Sequence, residues 1–257
     1  MALALTLALA ASASAQEPTL PDDPVAKVGE RTITKAEYDR WFENAAASDT
    51  GPGRVDPPDF ERCIAAERRH ARRAGRHPGR AALRGRCTRR HGALRRQVMG
   101  FLIRAVWIHV EADRLGIAVT PERVRRVFES QRRQAFPDDR AFRRFLRRSG
   151  ATVEDILYRV ELDLLQSRLA NHALDAARQP TRREVTRFLK RHPKRFAGMP
   201  RGQAHMRAGA LIFMRRADNA LAHFVIDFQR RYHDMTTCAQ SYVVTDCRNL
   251  LRIQAPE

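Results

Sequence analysis

Leu94 to Leu115, LRRQVMGFLIRAVWIHVEADRL, decides how this chain is read. Its apolar residues fall at 94, 98, 101, 102, 105, 108, 112 and 115, the i, i+3, i+4, i+7 recurrence of one helix face rather than the alternation of a strand. Gly116 ends the run, as glycine does where a helix closes in a left-handed turn. Trp107 lies off this stripe, so one large aromatic is left over once the helix has buried a single face.

Downstream the punctuation stays helical. Thr120-Pro121-Glu122 offers an N-cap followed by proline at the first helical position, opening a helix with Val124, Val127, Phe128 and Ala135 on one side and closed by Pro137. A shorter helix presents Phe142, Phe145 and Leu146 and ends at Gly150. Thr152 and Asp155 can cap the next, which carries Ile156, Leu157, Val160, Leu164 and Leu169 until Pro180 breaks the chain. Thr181 and Glu184 form another capping box before Val185, Phe188 and Leu189, and Pro193 stops that helix. A last helix shows Leu221, Phe224, Val225, Phe228 and Tyr232.

Upstream, Val25 to Ile33 carries β-branched residues around Gly29 and reads as a short hairpin. Thr34 and Glu37 cap a helix containing Tyr38, Trp41 and Phe42, which dissolves into a Gly/Pro loop over 45–59. From Arg62 to Arg96 there are thirteen arginines and one acid, Glu67, interrupted by Gly75, Pro78, Gly79 and Gly85. We expect residues 54–93 to be a mobile basic arm with little to bury. The fold class is therefore mainly α: several amphipathic helices that bury their faces on one another, completed by the C-terminal helix.

The 257 residues carry 48 Lys and Arg against 29 Asp and Glu, a formal +19 that raises an anionic partner. Only four of these cations are lysines, a ratio that a high-GC coding bias also produces with no ligand involved. Residues 1–15, MALALTLALAASASA, have the apolar run and the Ala13-Ser14-Ala15 ending of a cleavable leader, with no Lys or Arg after Met1. The run is too short to span a membrane, which takes about 20 apolar residues. Cleavage near Ala15 would place the mature chain outside the cytoplasm, where four cysteines are read as two disulfides. Of the three connectivities, Cys63 with Cys87 and Cys238 with Cys247 is favoured. A zinc site is the competing reading, but there is no C-x-x-C and no histidine at ligand spacing, so no metal is expected.

VAKVGERTITKAEYDRW (25–41), the stretch from Val119 to Leu169, and PTRREVTRFLKRHPKRF (180–196), in that order behind a leader, resemble the SurA/PrsA-type extracytoplasmic foldases. FVIDFQRRYHDMTTCAQSYVVTDCRN (224–249) is similar to the C-terminal helix and Cys-bounded tail of one secreted branch of them, as is a cysteine either side of the region before Gln97. The resemblance implies a SurA N-terminal-like helical domain over 16–180, a helix and linker over 181–218, and a C-terminal helix and tail over 219–257. In that family a parvulin peptidylprolyl isomerase domain is inserted between the helices. Here only 22 residues separate Phe196 from Asn219, far short of such a domain, so no catalytic residue is carried over.

The implied function is a chaperone that binds unfolded or extended segments of exported proteins in an apolar groove, with no cofactor. Lining candidates are the large apolar residues that one helix face cannot all bury: Trp41, Phe42, Phe101, Trp107, Phe128, Phe142, Phe145, Tyr158, Phe213 and Met214. Trp41, Trp107, Phe213 and Met214 are the client-binding choices, the last two because Phe and Met in a flexible linker suit promiscuous contacts. Two other readings compete. Retained isomerase activity is one; grip on an anionic envelope polymer or lipid surface by the arginines is the other. Nucleic acid is not expected, since no aromatic interleaves the basic arm to stack bases.

Overall fold

Thr34, Thr120, Asp138, Thr152 and Thr181 each stop the chain in an extended conformation and turn a side-chain oxygen onto the first free N–H groups of a helix. Two are full capping boxes. Thr152 and Asp155 exchange bonds of 3.1 and 3.0 Å, and Thr181 and Glu184 bonds of 3.3 and 2.7 Å. At Thr34 only the threonine half of the expected box forms, accepting from the Glu37 N–H at 3.2 Å.

The computed structural model describes residues 23–250; the expected leader lies outside them. Strands β1 (Ala26–Val28) and β2 (Arg31–Ile33) precede helices α1 (Lys35–Ser48), α2 (Glu61–Arg73), α3 (Arg80–Leu115), α4 (Pro121–Ala135) and α5 (Asp139–Ser149). Then follow α6 (Val153–Asp175), α7 (Arg182–Arg191), a 3-10 turn (Pro193–Phe196), α8 (Arg201–Met235), β3 (Thr236–Cys238) and a 3-10 turn (Gln240–Tyr242). The fold is mainly α. No described helix is long and apolar enough to cross a membrane.

The N-terminal hairpin turns at Gly29 as expected, and it has a partner that the sequence did not announce. β3 adds to the other edge of β1, giving the antiparallel order β2-β1-β3 with Val28 opposite Thr236 and Ala26 opposite Cys238. The first and last strands of the described residues are thereby joined. Around this sheet Ile33, Trp41, Leu102, Ile103, Trp107 and Tyr232 form the largest core, to which the Cys238–Cys247 disulfide contributes.

The expected mobile basic arm is instead a helical hairpin. α2 and the first half of α3 pack on each other through Cys63, Ile64, Leu83, Cys87 and Leu94, with the Cys63–Cys87 disulfide at the centre. Glycine inside a helix costs about 1 kcal/mol, so Gly85 and Gly92 do weaken α3. Burying Leu83 and Leu94 in this cluster returns more than that, at about 1.5 to 3 kcal/mol per large side chain. Many of the arginines lie on the outer faces, while Arg90 has a structural use. It meets Asp49 at 2.6 Å, Glu67 at 3.5 Å and the carbonyls of Pro52 and Gly53, clasping the 49–53 loop onto α3.

The C-terminal helix is also longer than expected. The linker reading of 197–218 is overturned: after a turn at Gly198, α8 starts at Arg201 and runs unbroken to Met235. No proline follows Pro200 within it, and Ala204 and Ala208 are small enough for α7 to approach closely, giving a core of Val185, Phe196, Ala204 and Ala208. A further core joins α4, α5 and α6 through Val124, Phe128, Phe142 and Val160.

Candidate functional site

α1, α4, α5 and α6 meet with their packing incomplete, leaving a cleft of about 560 Å³ that also reaches Leu94 and Gln97 of α3. That volume is in the range of small-ligand or side-chain binding sites, about 300 to 1,000 Å³. One wall is aromatic. Phe136 sits 5.3 Å from both Phe142 and Phe145, and Phe142 sits 6.0 Å from Phe128, all as tilted rings. Phe136 reaches this wall because the residue before proline is driven into an extended backbone, here at φ −130°, and Pro137 follows it. Phe145 keeps 39% of its surface exposed, although it lies beside two other rings, Phe136 and Phe142.

Trp41, which is 2% exposed, also lines the cleft. Its ring lies under two guanidinium groups, Arg40 at 5.1 Å and Arg159 at 5.0 Å. The amides of Asn44, Gln97 and Gln131, the guanidinium of Arg132 and the hydroxyls of Ser48, Thr50 and Ser149 also line it.

The carboxylates that line the cleft are committed to the fold. Asp155 is 2% exposed, accepts from the Asn44 amide at 2.9 Å and pairs with Arg40, so it ties α6 to α1 while capping α6. Burial pushes its carboxyl up, but the Thr152 N–H, Arg40 and Asn44 outweigh this and hold it below the usual carboxylate value. Asp49 is bound to Arg90. The arrangement can enclose an apolar side chain and offer the Gln97 and Gln131 amides to a backbone; its carboxylates, and the Asn44 amide, already have partners. Among the described residues no three His, Cys, Asp or Glu side chains converge as metal ligands.

Of the four client-binding residues expected from sequence, the cleft holds one, Trp41. Trp107 is core: it is 3% exposed, stacks 6.2 Å from Tyr232, and its indole N–H donates to the Thr236 hydroxyl at 2.8 Å. It lies off the first stripe because α3 is covered on a second side by α8. Phe213 is half-buried and Met214 is 60% exposed, both on α8 and away from the cleft lining. Phe128, Phe142 and Phe145 do line the cleft, whereas Phe42, Phe101 and Tyr158 pack against the main core. Phe136 was missed, though its place before Pro137 was the available signal.

No protein-family model, curated protein or solved structure matches this chain.

Proposed function

We propose that this chain is an extracytoplasmic chaperone of the SurA/PrsA type that holds extended apolar segments of exported proteins in the α1/α4/α5/α6 cleft, without isomerase catalysis. The observation that carries the reading is one cleft lined by the clustered rings of Phe136, Phe142 and Phe145 together with Trp41 and the amides of Gln97 and Gln131. Rings give contact area that tolerates many side chains, and amides can bond an extended backbone whatever its sequence. Two disulfides fit an oxidising compartment, and the leader-like residues 1–15 fit export.

The experiment is light scattering of an unfolded model client with residues 16–257 added at low and at high salt, and prolyl isomerisation of a short peptide followed in parallel. Aggregation suppressed at both salt concentrations, with no isomerisation, is the expected result, because apolar contacts hold or strengthen in salt. Suppression that vanishes in salt would replace the reading with an electrostatic one, and measurable isomerisation would overturn the absence of catalysis.

A further inference from the structure

Among the described residues four guanidinium groups lie over aromatic rings: Arg40 and Arg159 over Trp41, Arg95 over Tyr242 and Arg132 over Phe142. Three of them are engaged elsewhere in the fold. Arg40 pairs with Asp155, Arg95 donates to the Ser241 carbonyl, and Arg132 bonds Glu129 and Asp139. Arg159 alone of the four has neither an ion pair nor a hydrogen bond with any described residue.

The reason lies in α6 itself. Asp155 stands four residues before Arg159, the spacing at which an acid and a base meet on one helix side. Its oxygens are already filled: Arg40 donates to Oδ1, and the Asn44 amide and the Thr152 N–H donate to Oδ2. Exposed arginines without an ion pair are common on this chain, but Arg159 differs from them in two respects. The rings of Trp41 and Phe101, at 5.0 and 5.3 Å, fix where its guanidinium sits, and it lines the cleft. Four charged side chains line that cleft. Asp49 and Asp155 are matched by Arg90 and Arg40, and Arg132 by Glu129 and Asp139, which leaves Arg159 as the one unmatched charge in the lining.

We infer that Arg159 makes the cleft select clients that carry an acidic side chain among their apolar residues, by bonding that carboxylate. The inference rests on the client-binding reading and adds a charge preference to it. A guanidinium already held on rings has little freedom left to lose on binding, and its planar edge matches a carboxylate with two parallel N–H bonds. The rings and the Gln97 and Gln131 amides are neutral and take apolar side chains and backbone without regard to charge. In an extended segment held through its apolar side chains, the carboxylate on offer is that of an internal Asp or Glu.

The test is calorimetric titration of residues 16–257 with three peptides of one extended apolar sequence: blocked at both ends with a central Glu, the same with Gln, and the Gln peptide with a free C-terminal carboxylate. The wild type should bind the Glu peptide about tenfold more tightly than the blocked Gln peptide, the effect of a hydrogen bond between charged groups. Arg159→Gln should bring that ratio to about one. Arg159→Lys should keep only part of it, because an ammonium cannot fork onto a carboxylate. Arg147→Gln, the same change in charge at an exposed position of α5 outside the cleft lining, should leave the ratio as in the wild type. Circular dichroism checks folding, and if Arg159→Gln does not fold the Lys variant carries the comparison. Equal binding of the Glu and Gln peptides by the wild type would overturn the inference and leave the client reading standing, whereas binding of neither would overturn both. A preference that Arg159→Gln keeps, or that Arg147→Gln loses to the same extent, would trace it to the net charge of the chain and remove Arg159. A gain from the free C-terminus as large as that from Glu would replace the acidic side chain by a chain end.

Discussion

Tyr232 of α8 donates its hydroxyl to the carboxylate of Glu111 on α3 at 2.8 Å, across 121 positions of sequence, and each residue is 1% exposed. Glu111 also receives two bonds from Arg114, at 2.7 and 2.8 Å, and a forked one from Arg231 Nη1, at 3.1 and 3.4 Å to its two oxygens. Burial pushes the Glu111 carboxyl up, but these donors outweigh it and hold the group below its usual value. Burial, and then the carboxylate itself, pushes the Tyr232 phenol up to about 12. The cluster pins the C-terminal half of α8 to α3 and so closes the main core.

Removing the Tyr232 hydroxyl should therefore cost stability without disturbing packing. Tyr232→Phe is expected to lower unfolding free energy by about 2 kcal/mol, the worth of a hydrogen bond to a charged group. Glu111→Gln keeps the shape but loses the ionic partners of Arg114 and Arg231, and should cost a similar amount. Chemical denaturation of both variants checks this; unchanged midpoints would mean that the core holds α8 without the polar cluster.

Acid should weaken the same contacts. Glu111, Asp155 and Glu184 all have carboxyls held below their unfolded values, and Glu184, beside Arg216 and the Thr181 N–H, is brought down to about 2. A depressed carboxyl contributes stability that is complete above its unfolded value and is lost as pH falls through the folded one. Stability should thus be level above about pH 5 and decline below the ordinary values of 3.8 to 4.5, aided by the growing positive charge. Thermal unfolding between pH 3 and 7 measures this. Asp155→Asn should flatten part of the acid limb; an unchanged limb would remove Asp155 from the account.

Each disulfide closes a local loop, 24 positions for Cys63–Cys87 and 9 for Cys238–Cys247. Loop-closure entropy gives about 3 kcal/mol for each. The first should matter more to local order, because α2 is held by a small cluster and by the Arg90 clasp rather than by the main core. Replacing Cys63 and Cys87 by alanine should make the α2 amides exchange freely while those of α3 near Leu102 stay protected. Uniform loss of protection would show that the hairpin and main core unfold as one unit.

What was legible in the sequence is what depends on neighbours in sequence. The caps at Thr120, Thr152 and Thr181, the stops at Gly116 and Gly150, and the Gly29 turn are decided within four or five residues, and all appear. The misreadings came from assuming how many partners an element has. A single-stripe reading of α3 left Trp107 unexplained, yet Trp107 and Glu111 share a second side at i and i+4, against which Tyr232 of α8 packs. The arginine-rich segment looked unable to fold because its charges outnumber its apolar residues. Ile64, Ala71, Leu83 and Cys87 were sufficient once two helices shared them. The cleft was half legible: Trp41, Phe128, Phe142 and Phe145 were among its candidates, but which aromatics meet depends on how α4 and α5 turn at Phe136.

If the cleft holds clients, its exposed ring should matter to function more than to folding. Phe145 is 39% exposed and Phe136 is half-buried, so Phe145→Ala should cost well under the 3 to 5 kcal/mol of a fully buried phenylalanine, about 1 kcal/mol. The double variant F136A/F145A should hold an unfolded client about tenfold more weakly, by loss of anchor rings. Met214→Ala, equally apolar and more exposed but on α8, serves as the control and should change neither stability nor client holding. The decisive comparison is the concentration of each variant that halves client scattering. Equal curves for the double variant and the wild type would remove the cleft as the binding site, and a loss confined to Met214→Ala would move it to α8.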